Sequence, residues 1–186
     1  MRVIVVGLGV QGKKRRIHAG KDYVVSVDPN KKEAEFNNIL DVDPDTYDSV
    51  LVCVPDKLKI KILRYCIEHK KHVLVEKPLF YEKENQIDEL EKSARLNKVV
   101  CYTAYNHRFE PHFIKMKDLI SSGDLGKIYS CRMFYGNGTA KLVRDSIWRD
   151  QGDGVLPDLG SHLLDTCRFW FGNDIGTFQL TSAHCF

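Results

Sequence analysis

A doubly wound parallel α/β sheet is the fold that residues 1–122 predict, and three observations predict it. Short β-branched runs alternate with helical stretches, the runs are continuously apolar, and the first of them ends in a glycine-rich loop. Strands that are apolar throughout and separated by helices belong to parallel sheets covered on both faces.

The elements follow in order. Arg2 to Val6 reads as a strand ending at glycine, followed by a helix from Val10 to about His18. Tyr23 to Val27 is a second strand closed by Asp28, with Pro29 and Asn30 as punctuation before a short polar helix through Phe36. A turn at Asp43-Pro44-Asp45 precedes the strand Ser49 to Val54, which Pro55 stops. Leu58, Ile62, Leu63, Cys66 and Ile67 then recur at helical spacing. The strand His72 to Val75, a charged helix from Lys83 to Leu96, and the strand Val99 to Ala104 complete the alternation.

A helix from Pro111 to Ser121 ends at Ser122-Gly123-Asp124, and the character then changes. Lys127 to Tyr135 and Gly176 to Phe186 show two-residue alternation, with a helix from Ser161 to Phe171 between them. The expected division is a dinucleotide-binding domain over 1–122 and the first part of an α+β domain over 123–186.

The bulk numbers agree with an ordinary globular protein. A chain of 186 residues, 43% hydrophobic and 28% charged, is long enough for one domain or one with part of a second. A net charge of +3 is too small and dispersed to argue for a nucleic-acid partner. Its one concentrated piece, Lys13-Lys14-Arg15-Arg16, falls in the first turns of a helix and reads as a solvated face. No apolar run reaches the roughly 18 residues of a membrane span, and no leader pattern opens the chain, so a cytoplasmic location is expected. Six widely separated cysteines without a Cys-x-x-Cys pair favour reduced thiols.

Gly7-Leu8-Gly9-Val10-Gln11-Gly12 has the G-x-G-x-x-G spacing, with a strand before it and a helix after it. In that context Gly7 allows the tight turn, Gly9 lets a pyrophosphate approach, and Gly12 allows close packing. The helix N-terminus supplies amide donors and positive potential to the phosphates. Asp28 closes the second strand roughly 20 residues beyond Gly7, where a carboxylate accepts from a ribose diol and repels a 2′-phosphate. NAD is therefore favoured over NADP; the competing reading makes Asp28 an N-cap of the following helix.

Two further stretches carry chemistry. Lys77, within Glu76-Lys77-Pro78, ends a strand at the side of the sheet where ligands sit, and Pro78 biases it toward an extended conformation. Beside a cofactor it would suit proton transfer; the alternative is a solvated strand-end lysine paired with Glu76. In Pro157-Asp158-Leu159-Gly160-Ser161-His162, continued to Asp165, the helical spacing puts Asp158, His162 and Asp165 on one face. A histidine between two carboxylates is oriented as a base. Asp158 and His162 are also possible metal ligands, but no third and fourth ligand stands at recognisable spacing, and no metal is expected.

Taken together, the glycine loop, Val75-Glu76-Lys77-Pro78-Leu79, Tyr105 to Pro111 (YNHRFEP), Trp148-Arg149 and Gly154 to Asp165 (GVLPDLGSHLLD) resemble the Gfo/Idh/MocA oxidoreductase family. The resemblance implies a Rossmann domain, an open-sheet second domain, and a nicotinamide-dependent dehydrogenase acting on sugars, inositols or sugar nucleotides. It implies Lys77, Asp158 and His162 as catalytic residues. Gly7, Gly9, Val10, Gln11, Gly12, Asp28, Pro55 and Glu76 would contact the cofactor, and Asn106, Trp148 and Arg149 the substrate. A homo-oligomer is expected of the full-length family form. The later motifs are most similar to members associated with cell-surface sugar or sugar-nucleotide metabolism.

Three departures accompany the resemblance. Val54-Pro55-Asp56 and Lys59 stand where the family commonly has Thr-Pro-Asn and a histidine. The interval from Asp28 to Ser49 is short, so a third sheet strand is expected to be vestigial or absent. Family members continue well beyond Phe186, which implies an incomplete second domain. A nucleotide-binding module without turnover is the rival reading. A methyltransferase also opens with a glycine-rich loop, but gives Glu76-Lys77-Pro78 and the Asp158–His162 stretch no role.

Overall fold

Five short strands pair entirely in parallel: β1 (Val3–Val6), β2 (Tyr23–Val27), β3 (Ser49–Val52), β4 (His72–Val75) and β5 (Cys101–Thr103). Their spatial order is β2-β1-β3-β4-β5. The computed structural model describes residues 1–81, 83, 85–136, 156–172, 175, 176 and 179. The chain divides into two compact units, Met1–Ala104 and Tyr105–Phe186. This division falls ahead of the helix Pro111–Ser122, which the sequence reading placed in the first domain.

The first unit adds α1 (Val10–Ala19), α2 (Asp56–Glu68) and α3 (Gln86–Asn97). The chain steps one way from β1 to β2 and the other way from β3 to β4 and β5. Right-handed crossovers then put α1 on one face and α2 with α3 on the other. Ile4, Val50, Val52 and Val75 are fully buried with Leu63 and Ile67 of α2. Each such side chain contributes about 1.5–3 kcal/mol relative to exposure.

The residues after Asn30, through Phe36, do not form the expected short polar helix. Asp28 Oδ1 accepts from the Asn30 amide at 2.8 Å, which turns the chain immediately. The Glu35 carboxylate accepts from the Ser26 amide at 2.8 Å and its hydroxyl at 2.7 Å. Phe36 lies parallel to Val27 in an isolated bridge, with the Asp28 amide donating to Phe36 O at 2.9 Å. These ties to β2 hold residues 35 and 36 extended, which a helix cannot satisfy. The expected vestigial strand is this one rung.

The second unit contains a 3₁₀ turn (Asn106–Phe109), α4 (Pro111–Ser122), a π-helical turn (Leu156–Gly160) and α5 (Ser161–Phe171). Pro111 stands in the first turn of α4, and Gly123, at φ +79°, ends it in the left-handed region. The Trp170 indole donates to Phe113 O at 3.0 Å and ties α5 to α4. The expected strand over Lys127 to Tyr135 does not form. A strand needs a ladder partner, and no strand is present among the described residues of this unit. Most side chains over 127–135 are exposed; Met133 is half-buried, and its Sδ meets the Cys167 thiol of α5 at 3.4 Å. Most of the expected strand Gly176 to Phe186 lies outside the described residues.

Candidate functional site

In the first unit, the chain leaves β1 and β3 toward opposite sides of the sheet. Ligands of open α/β sheets bind outside the carboxyl ends of the strands at such a point. That edge is tied by one amide beyond each of β1, β3, β4 and β5. Gly7 donates to Val27 O at 2.8 Å, Cys53 to Val6 O at 2.7 Å, Glu76 to Val52 O at 2.9 Å, and Ala104 to Val75 O at 2.8 Å.

The three glycines differ in what they permit. Gly7 has φ +91°, and a Cβ there would lie 2.5 Å from Cys53 O. A Cβ on Gly12 would lie 1.7 Å from Gly7 O, so the start of α1 touches the loop backbone. Gly9 has an ordinary φ of −66°, and a Cβ there would meet nothing within 4 Å. Its role is to leave space. The first helical bond runs from the Lys13 amide to Gly9 O at 3.0 Å, so the amides of Val10, Gln11 and Gly12 precede it. No acidic residue stands in that first turn. An open, uncapped helix start beside a bare glycine fits a dinucleotide pyrophosphate.

Asp28 is held against this loop. Its Oδ2 accepts from the Leu8 amide at 2.7 Å while Oδ1 serves Asn30. No helix follows, so the N-cap alternative falls. The carboxylate fixes the glycine turn and closes the floor of the site at the end of β2.

Glu76, Lys77 and Pro78 leave the same edge from β4, and the Lys77–Pro78 peptide is cis. Glu76 Oε1 accepts from Arg15 Nε and a terminal guanidinium nitrogen, each at 2.7 Å. Arg15 belongs to the basic run expected to be solvated; here it is half-buried and reaches from α1 to the strand end. Lys59, on α2, donates to Pro78 O at 2.7 Å. Pro55 is exposed immediately before α2, beyond β3. Beneath the glycines, burial pushes the Cys53 thiol up to about 12, with the Glu76 carboxylate adding to the effect. Cys53 therefore stays protonated and is no nucleophile.

The second unit collects the other candidates. His162 is buried in the first turn of α5, with its ring 4.6 Å from that of His107 and edge-on to Tyr105 and Tyr135 at 5.8 and 5.7 Å. The His107 Nδ1 lies 2.6 Å from Glu110 Oε1, and Asn106 Nδ2 donates to the same oxygen at 3.2 Å. Burial raises the Tyr105 phenol, with the Asp165 charge adding to it. Asp158 lies in the π-helical turn rather than one α-helical turn before His162. The wider turn changes the expected spacing of the polar face. Trp148 and Arg149 lie outside the described residues.

Asp165 departs from the role expected of it. Both its oxygens accept from Arg108, with Nε at 3.0 and 2.8 Å and a terminal nitrogen at 2.6 Å, so it anchors the Asn106–Phe109 turn to α5. Its side chain is 8% exposed and that of Arg108 is 31% exposed. Arg108→Met is expected to destabilise the protein by roughly 2–3 kcal/mol, less than a fully buried pair because the guanidinium is partly hydrated. Adding Asp165→Leu should recover part of that loss. Denaturant midpoints of the single and double variants check both statements.

Lys59, Arg15 and Arg108 are site-supporting residues that spacing alone did not reveal. The only signal was indirect: Lys59 marks a departure from the family pattern, and Arg108 lies in YNHRFEP. Among the described residues, no three His, Cys, Asp or Glu side chains converge as metal ligands, and no helix is long and apolar enough to cross a membrane.

Residues 1–105 match the family model described as an oxidoreductase family with an NAD-binding Rossmann fold, and residues 113–185 match that of the GFO/IDH/MocA C-terminal domain. An inositol 2-dehydrogenase of Mycolicibacterium vanbaalenii is 25% identical across 97% of this chain and 56% of its own length. A myo-inositol 2-dehydrogenase of Thermotoga maritima is 30% identical across 72% of this chain and 38% of its own. The crystal structure of a Lactobacillus plantarum myo-inositol 2-dehydrogenase shares the fold, with a TM-score of 0.77 at 20% identity over 92% of this chain and 56% of that one. The chain thus spans about half, or less, of the length of these relatives. With both family models matched in order, the chain belongs to the Gfo/Idh/MocA family of oxidoreductases.

Proposed function

We propose that the chain carries the cofactor site and part of the substrate site of an NAD-dependent dehydrogenase acting on a secondary alcohol of an inositol or related sugar-type polyol. The observation that supports this most is the carboxyl edge of the first unit. There an open glycine cradle, Asp28 and the Glu76-Lys77-Pro78 turn stand at the carboxyl ends of β1, β2 and β4, with β3 between β1 and β4. The relatives named as inositol dehydrogenases support the polyol class.

In this reading the amides of Val10, Gln11 and Gly12 hold the pyrophosphate, and Asp28 faces the adenosine ribose. A carboxylate offers about four lone-pair directions, so Asp28 retains capacity for a ribose diol while serving Leu8 and Asn30. Its charge disfavours a 2′-phosphate, which selects NAD. Bound NAD supplies a hydride acceptor. For the alcohol to become a ketone as its hydride leaves to that acceptor, His162 or Lys77 would take the hydroxyl proton. Asp158 orients His162, and Asn106, Trp148 and Arg149 contact the polyol.

The test is NADH titration followed by turnover on a panel of inositols, sugars and sugar nucleotides. NADH binding with formation of NADH from NAD on at least one inositol is the expected result. Binding without turnover on any member favours the second reading, a nucleotide-binding module, which the chain's share of its relatives' length motivates. Absence of NADH binding overturns both.

A further inference from the structure

We propose that Lys59 is a positioning residue that holds the Glu76-Lys77-Pro78 turn and so fixes where Lys77 leaves the sheet; this rests on the reading of Lys77 given above. Lys59 is 2% exposed, and its ammonium has two partners, Asp56 Oδ1 at 2.6 Å and Pro78 O at 2.7 Å. A buried ammonium persists only when such partners replace its water. The Asp56 contact is an i,i+3 pair within α2, and any helix surface can form one in water without burial. The Pro78 contact reaches 19 residues along the chain and accounts for the lysine lying inside.

The two flanks of Lys77 are held differently. On the strand side, the Glu76 amide donates to Val52 O, and the Glu76 carboxylate is paired with Arg15. On the exit side, Pro78 has no N–H to give to a ladder, and its carbonyl accepts a charge-assisted bond from Lys59. Leu79 then packs against the core. Removing the ammonium withdraws the polar anchor of the exit side and leaves the strand side intact. The cofactor cradle makes no use of Lys59, so its geometry should survive. A displacement of about 1 Å in a reacting group costs on the order of 10²-fold in rate. The Lys59 ammonium meets Pro78 O from a helix across 19 residues of chain, so reach is what a substitution should test.

Lys59→Met, Lys59→His and Lys59→Arg would be compared by hydrogen exchange resolved over residues 76–81 and by NADH titration. Steady-state kinetics would follow on the substrate found with the panel. For Lys59→Met, exchange at the Lys77, Leu79 and Phe80 amides should rise about tenfold or more, while β1 and β3 keep their protection. NADH affinity should hold, and kcat should fall about 10- to 100-fold. Lys59→Arg should recover part of both losses. In a Lys77→Met background, Lys59→Met should lower kcat no further, because the effect passes through Lys77. Unchanged exchange over residues 77–80, or a loss spread evenly over the sheet, overturns the proposal. If the methionine variant does not fold, Lys59→His decides alone: it keeps a donor on a shorter side chain, and unaltered exchange at those amides overturns the proposal. Full activity in Lys77→Met would instead remove the role of Lys77, while the exchange data still judge the hold of Lys59 on the turn.

Discussion

On the proposed dehydrogenase function, Lys77→Met is expected to lower kcat by about 10²- to 10⁴-fold, the range for loss of a positioned proton-transfer group. The substitution keeps the length of the side chain and removes its ammonium. The backbone around it has its own ties: the Glu76 amide on Val52 O, Arg15 on Glu76, and Lys59 on Pro78 O. The melting temperature and NADH affinity should therefore move little, and the loss should appear in kcat more than in KM. A variant that keeps its kcat would remove Lys77 from the chemistry. The measurement is a pair of rate curves on the substrate found with the panel, beside a thermal melt and an NADH titration.

The glycine loop yields the second large effect, and its members should separate cleanly. Gly12→Ala drives a Cβ to 1.7 Å from a backbone oxygen that no rotamer can move, so the loop or α1 must shift. Overpacking of this kind costs about 1–3 kcal/mol and more where the neighbour is backbone. Gly9→Val adds side-chain bulk where a Cβ meets nothing within 4 Å, at a φ that valine accepts. Its fold should be retained while NADH affinity falls tenfold or more, about 1.4 kcal/mol for each factor of ten. A melt and an NADH titration on each variant check the contrast. Equal stability losses at both positions, or unaltered NADH affinity in Gly9→Val, would contradict the cradle.

What the sequence made legible was mostly local. Helix α5 occupies the residues that its periodicity indicated, and the strand and helix order of residues 1–104 followed from apolar runs and glycine or proline punctuation. The failures came where distant groups decide. The stretch after Asn30, through Phe36, read as a short polar helix because it is polar and follows the Pro29-Asn30 punctuation. Glu35 instead ties that segment to Ser26, and Phe36 bridges Val27, contacts across nine residues that composition does not encode. Residues 127–135 alternate as a strand should, but alternation supplies a face and not a partner. Asp165 has the spacing of a residue that flanks His162, yet Arg108, far away in sequence, takes its carboxylate. Lys59 and Arg15 were hidden for the same reason. A basic residue on a helix is ordinarily solvated, and only the sheet's carboxyl edge supplies the acceptors that draw these two inward.

The four amides that extend the ladder beyond the strands, at Gly7, Cys53, Glu76 and Ala104, have a thermodynamic consequence. Because the glycine turn and the start of the Lys77 turn are rungs of the sheet, opening either strips hydrogen bonds from a neighbouring strand. The nucleotide's host surface and the hydrophobic interior should therefore melt as one cooperative unit. Ligand occupancy then reads directly as resistance to unfolding: each tenfold excess of NADH over its dissociation constant adds about 1.4 kcal/mol to the stability of the whole unit.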